Sequence, residues 1–205
     1  MKMKKLLILS LISVTFLSGC KNKQDAQATP RDTVKTFSDG FLEFDKAKVM
    51  SCVTGDKTEM EALSVFMDYI AAVQDFKQAV IKEYGTSGWE NFEREGGAKL
   101  SLDMTDNRKM LDSAKIEING DRAVCNIPGE TQAMTLSRVN GLWYVDAGAA
   151  ITTGSTDIQK FIRTWSSMVN IIKKKKSRIG QPGVTAQSLD QELGAEILPV
   201  LIDNG

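Results

Sequence analysis

The chain has 205 residues, 26 basic against 26 acidic side chains, 42% hydrophobic residues, three cysteines and no histidine. That length suits one domain or a small pair, and the balanced charge argues against a nucleic-acid partner, which needs a basic excess. Without histidine there is no Ser-His-Asp triad, no Cys-His dyad, no His-ligated zinc and no imidazole pH switch. The sequence also has no P-loop, Rossmann fingerprint, EF-hand loop or zinc-spaced cysteine cluster, so no metal and no cofactor is expected.

The amino terminus reads as an export signal. Lys2, Lys4 and Lys5 precede an apolar run over residues 6–17, and a spanning helix needs about 20 apolar residues, so this run is too short to be one. It ends in Leu17-Ser18-Gly19-Cys20, which resembles the lipobox of bacterial lipoproteins. A plain secretory signal beside a chance cysteine is the alternative. The resemblance implies a signal over residues 1–19, a diacylated Cys20 as the mature first residue, and a membrane partner reached through that lipid. Each buried acyl methylene contributes about 0.8 kcal/mol, and two or three chains hold where one is marginal. Lys21 stands where the family places an Asp for inner-membrane retention, which implies the outer membrane, facing the periplasm, in a Gram-negative host. Without the signal the chain keeps 23 basic and 26 acidic residues, a net charge of −3.

Residues 20–29 are polar and read as a tether. Thr29-Pro30 predicts a helix start, and Val34, Phe37, Phe41 and Phe44 recur on one face. A short helix is predicted over residues 45–53, then a long one over residues 57–84 that Gly85 stops, about 40 Å in length. Beyond Gly96-Gly97 the period changes to two. Strands are predicted at about 112–118, 122–127, 132–139 and 142–147, with a weaker one at 99–103. Asn119-Gly120 and Asn140-Gly141 predict tight type I′ hairpins. Thr156 with Gln159 reads as a capping box ahead of a helix to about Ser177. Gly180-Gln181-Pro182-Gly183 forces a turn, and a last helix from about Ala186 carries Leu189, Leu193 and Ile197 inward, with Pro199 bending or ending it. Helices, an antiparallel meander and helices again predict an α+β fold, N-terminal helices packed on the sheet and two C-terminal helices added.

Two segments carry a second resemblance. TPRDTVKTFSDGFLEFDKAKVMSCVTGD, from Thr29, is similar to the opening helices of the nuclear-transport-factor-2-like superfamily in its small lipoprotein branch. SAKIEINGDRAVCNIPGETQAMTLSRVNGLWYVD, from Ser113, is similar to its strands, with Gly141, Trp143 and Val145 as the "Gly-x-Trp-x-Val" of a late strand. The resemblance implies a domain over residues 30–150 whose curved sheet and helices make a cone, often with an apolar pocket. Residues 151–205 depart from it as a helical extension.

Cys52 and Cys125 remain after Cys20. Outside the cytoplasm two cysteines suggest a disulfide, and two buried thiols are the alternative. In the resembled fold the pairing would join the second helix to a strand. The resemblance also implies pocket-lining roles for Phe37, Phe41, Phe66, Ile70 and Trp143, although an aromatic stripe at helical spacing is ordinarily core. Strand alternation turns Tyr144, Asp146 and Glu117 outward and Trp143 inward, so no carboxylate falls among apolar residues as a general base. Lys173, Lys174, Lys175 and Lys176 end a helix, where they complement its dipole or contact an anionic envelope surface. The first reading is therefore a non-catalytic, lipid-anchored envelope protein that binds a protein partner or a small apolar ligand. An isomerase- or cyclase-like enzyme using an Asp or Glu in the cone is the second. A structural or immunity-like interaction protein is the third.

Overall fold

A computed structural model describes residues 26–95, 100, 108–129, 132–151 and 157–203. The first helix, α1 (Pro30–Leu42), starts as its sequence dictates. Thr29 is extended and its hydroxyl accepts from the Asp32 amide, with Pro30 in the first turn. Val34 and Phe37 turn inward. Phe44, in the left-handed region at φ 57°, reverses the chain into α2 (Lys46–Ser51), capped by Asp45. Gly40 permits the close crossing, since a Cβ there would lie 2.8 Å from Val49 Cγ2.

The chain then forms β1 (Val53–Thr54), absent from the sequence reading because two residues carry no alternation. Next comes α3 (Lys57–Glu95), broken at Gly85, where φ 77° and ψ 173° leave the helical region. The predicted stop is therefore a kink, beyond which Trp89 and Phe92 of a second helical arm are buried. A short helix, α4 (Arg108–Asp112), takes the start of the first predicted strand. The meander follows as β2 (Lys115–Asn119), β3 (Arg122–Asn126), β4 (Met134–Val139) and β5 (Leu142–Asp146). The weak strand predicted at 99–103 lies outside the described residues apart from Leu100.

The sheet order is β1-β5-β4-β3-β2. Three antiparallel pairings make the expected meander, and β1 adds a parallel edge through Val53↔Val145 and Thr54↔Asp146. The sheet is therefore mixed. One hairpin matches its expected turn, with Asn140 at φ 51° and Gly141 at φ 83° between the pair Val139↔Leu142. The other does not. Asn119 pairs with Arg122, so Gly120-Asp121 form the turn, and of these only Gly120 has positive φ, the type II′ pattern.

Three helices complete the order: α5 (Ala147–Ile151), α6 (Ile158–Lys176) and α7 (Ala186–Asp203). Asp157 caps α6, accepting from the Gln159 and Lys160 amides, in place of the expected Thr156, which lies outside the described residues. Thr185 and Ser188 form an unpredicted reciprocal cap for α7, and that helix runs through Pro199 to Asp203. Ala123, Cys125, Leu136, Trp143 and Val145 on the sheet share one apolar core with Leu63, Ile70 and Phe76 of α3. Met168 and Ile172 of α6 and Leu189 and Leu193 of α7 belong to that same core. The C-terminal helices are thus built into the domain. No helix among the described residues is long and apolar enough to cross a membrane.

The folded domain starts earlier than the polar composition suggested. Gln27 is 1% exposed. Its carbonyl accepts from the Trp143 amide and its Nε2 donates to the Trp143 carbonyl, both at 3.0 Å. The predicted tether thus overlaps a strap that docks on β5. Arg31 fastens the opposite side of α1 by donating to the carbonyls of Leu111, Asp112 and Ala114.

Candidate functional site

The period-two pattern gives the sheet two unlike faces. The inner one is the core. The outer one carries Arg122, Thr135, Ser137, Tyr144 and Asp146, placed in rows by the registers Arg122↔Ser137, Ser137↔Tyr144 and Asp146↔Thr54. At the end of this face, where β1 leads into α3 and β5 into α5, lies an open cleft of about 520 Å3. Thr54, Glu59, Arg122, Thr135, Ser137 and Asp146 give it its polar lining.

Glu59 is fixed by local chain chemistry. Asp56 Oδ1 accepts from the Thr58 and Glu59 amides, and Glu59 Oε2 accepts in return from the Asp56 amide at 2.8 Å, a reciprocal capping box. Two glycines leave room for its carboxylate. A Cβ on Gly55 would lie 2.7 Å from Glu59 Oε2, and one on Gly148 would lie 2.9 Å from its Cδ. The carboxylate therefore occupies space that any other residue at position 55 or 148 would contest. Asp146 joins it from β5, half-buried and on the outer face as alternation required, and Glu117 is likewise exposed. The signal for this site was in the sequence, since Asp56-Lys57-Thr58-Glu59 has the spacing of a capping box. What sequence alone did not supply was the neighbouring β1 or the approach of Gly148.

The expected pocket is arranged differently. Phe37 and Phe41 lie 4.8 Å apart between ring centroids, Phe41 and Phe66 6.4 Å, and Phe66 and Trp165 5.0 Å. These rings pack on one another, with Phe161 added from α6. Ile70 is buried beside them in the core. Trp143 is placed on β5, with the Arg138 guanidinium 5.8 Å from its ring. Of the predicted lining residues Phe37, Ile70 and Trp143 are thus buried in the core, whereas Phe41 and Phe66 are half-buried against it, where the C-terminal extension adds the Phe161 and Trp165 rings. The titratable side chain in this aromatic group is Tyr69, whose hydroxyl donates to the Leu100 carbonyl at 3.4 Å. Burial pushes its phenol up to about 12, so it stays protonated and serves as no base near neutral pH.

The two cysteines do not pair with each other; each is buried as a thiol. Cys52 directly precedes β1, whereas Cys125 is on β3, three strand positions away in the order β1-β5-β4-β3. At about 4.8 Å per strand that separation exceeds the Cα spacing a disulfide allows. Cys52 donates to the Val49 carbonyl at 3.2 Å. Burial pushes the Cys125 thiol up, against a smaller pull from the Arg31 charge.

Three of the four lysines are committed within the molecule. Lys174 pairs with Glu196, Lys176 with Asp75 at 2.9 Å, and Lys175 with Glu192 at 2.8 Å and Glu196 at 2.7 Å. Lys175 is only 4% exposed, and Glu192 also holds Arg178. Lys173 is exposed. The run therefore ties α6 to α7 and α3 and does not present four free charges to a surface. Cys20 lies outside the described residues. Among those residues no group of His, Cys, Asp or Glu has the makings of a metal site. Compared with family models, curated proteins and solved structures, the chain matches none.

Proposed function

We propose that this protein is a lipid-anchored, non-catalytic binding protein of the cell envelope that meets its partner on the open face of its sheet. The observation that carries the binding surface is the contrast between the two sheet faces. The inner face is taken up by the buried core it shares with the helices, while the outer face keeps an open cleft lined by polar side chains together with Val139 and Ala149. A small apolar ligand inside the fold would compete with core side chains that already pack there, so a partner on the outer face, with charged groups for the cleft, is favoured. Support for the anchor comes from Leu17-Ser18-Gly19-Cys20, followed after five residues by the strap at Ala26 that docks on β5. Those five residues reach at most about 20 Å when extended, which keeps the domain close to the bilayer surface. The resemblance to the nuclear-transport-factor-2-like superfamily is part of the same proposal, with the C-terminal helices occupying the interior.

Cell fractionation of Cys20→Ala tests the anchor. The account expects the variant to leave the membrane fraction while keeping the far-ultraviolet circular dichroism of the folded protein. A variant that stays in the membrane pellet contradicts it.

A further inference from the structure

The cleft is bipolar, and its dimensions select a ligand. At one end Asp146 stands on β5 with Glu59 of α3 behind it, held in its glycine-walled position. At the other end stands Arg122 on β3. Between them Thr135 and Ser137 of β4 supply hydroxyl groups to the floor, which can donate or accept. Register sets the spacing. Asp146 is level with Thr135 and Arg122 with Ser137, one strand to either side of β4 and two residues apart along it. Two strand spacings across and two residues along put the Asp146 and Arg122 Cα atoms about 12 Å apart, and the two side chains span part of that gap. An extended chain advances about 3.3–3.6 Å per residue. A free amino acid, with its ammonium and carboxylate one residue apart, is too short to touch both ends. Two or three residues reach from one to the other, and a volume of about 520 Å3 is within the range of small-ligand sites.

We propose that the cleft binds a short peptide with both ends free, its ammonium set against Asp146 and Glu59 and its carboxylate against Arg122. The carboxylate end suits a guanidinium, whose planar fork matches two oxygens. The ammonium end suits paired carboxylates that cannot approach each other, because Glu59 is held by the Asp56 amide and by the walls of Gly55 and Gly148. Backbone amides of the peptide lie over the Thr135 and Ser137 hydroxyls. This inference rests on the reading that the outer face is the binding face, and it adds the chemistry of what binds there.

Isothermal titration calorimetry of the full-length lipidated protein in detergent tests it with triglycine as the probe. Saturable one-to-one binding is expected. Glycine, and triglycine with either end blocked by acetylation or amidation, should bind at least tenfold more weakly. Asp146→Asn, at a half-buried position, and Arg122→Gln, at an exposed one, should each weaken triglycine at least tenfold with an unchanged circular dichroism spectrum. A peptide with one end blocked stands for the terminus of a larger protein. Equal binding of that form, equal binding by the two variants, or no binding at millimolar triglycine overturns the proposal. The anchor plays no part in this titration, so its failure is separate from any failure of the Cys20→Ala fractionation.

Discussion

Lys175 offers the sharpest test of the architecture, because breaking its ion pairs from the lysine side and from the carboxylate side should differ strongly in cost, the latter also releasing Lys174 and Arg178. Its ammonium is 4% exposed and meets Glu192 and Glu196 at 2.8 and 2.7 Å. Lys175→Met keeps the apolar stem and removes a charge whose desolvation opposed folding. Glu196 retains Lys174 and Glu192 retains Arg178, so neither carboxylate is stranded. Replacing a buried ion pair by an apolar side chain is often near neutral, and we expect a change within about 1 kcal/mol. The double variant Glu192→Gln/Glu196→Gln instead leaves a buried ammonium with no countercharge. The carboxylates are themselves about a third exposed, so water tempers the loss, but stranding the buried ammonium should still make the double variant clearly the less stable of the two. Urea unfolding followed by tryptophan fluorescence resolves the two. A Lys175→Met variant less stable than the double variant would refute the reasoning. The same network sets a pH dependence. The bond from Lys175, helped by Arg178, holds Glu192 below the usual carboxylate range, and the bond from Lys175 does the same for Glu196 against the effect of burial. Their stabilisation is present above the unfolded carboxylate pKa of about 4.3 and is lost as pH falls through the lower folded values. Burial pushes the Lys175 ammonium down, but its bonds to both glutamates outweigh this and the net shift is upward. Its contribution is therefore complete below about pH 10.4 and is lost as pH rises through the folded value. Both slopes should flatten in Lys175→Met.

Other perturbations probe separate parts of the molecule. Gly148→Ala should push the Glu59 carboxylate off the Asp56 amide, costing about 1 kcal/mol of cap stability and weakening triglycine; unchanged values for both would contradict the cleft geometry. Arg31→Ala removes the donor to three carbonyls between α4 and β2 and should lower stability by about 2–3 kcal/mol in urea titration, a loss that Lys at that position restores only in part. Both buried thiols should react with a thiol reagent only after unfolding, with no reductant needed; a requirement for reductant would reveal the disulfide that the sheet order forbids. Asn140→Ala should cost about 1 kcal/mol, because alanine lacks the tolerance of asparagine for φ 51°, whereas Asn119→Ala should cost much less.

These contrasts mark what the sequence made legible. The helices and the meander followed from periodicity, because their apolar positions face one shared core and the local pattern agrees with the tertiary one. The caps at Thr29 and the turn at Asn140-Gly141 were readable because each rests on side chains within a few residues. Long-range pairings were not. β1 is two residues long and owes its existence to β5, more than 80 positions away in the chain. Gln27 looked like tether because its carbonyl and its Nε2 find their partner in Trp143, which no local pattern announces. The lysine run looked solvated for a similar reason, as its carboxylates arrive from α7 and α3. Phe37 and Trp143 are buried, whereas Phe41 and Phe66 are half-buried, and their neighbours Phe161 and Trp165 come from an extension that no local pattern ties to them. The cleft combined both kinds of signal: a local capping box at Glu59, and a neighbourhood assembled by strand order.

Mass spectrometry of the protein released from its native membrane, under native and then denaturing conditions, reads both the lipid anchor and the occupancy of the interior. The expected species is a chain that begins at Cys20, carries covalent acyl groups and retains no apolar molecule in its interior. A chain without acylation, or an apolar molecule held in the native state and shed on denaturation, would contradict it.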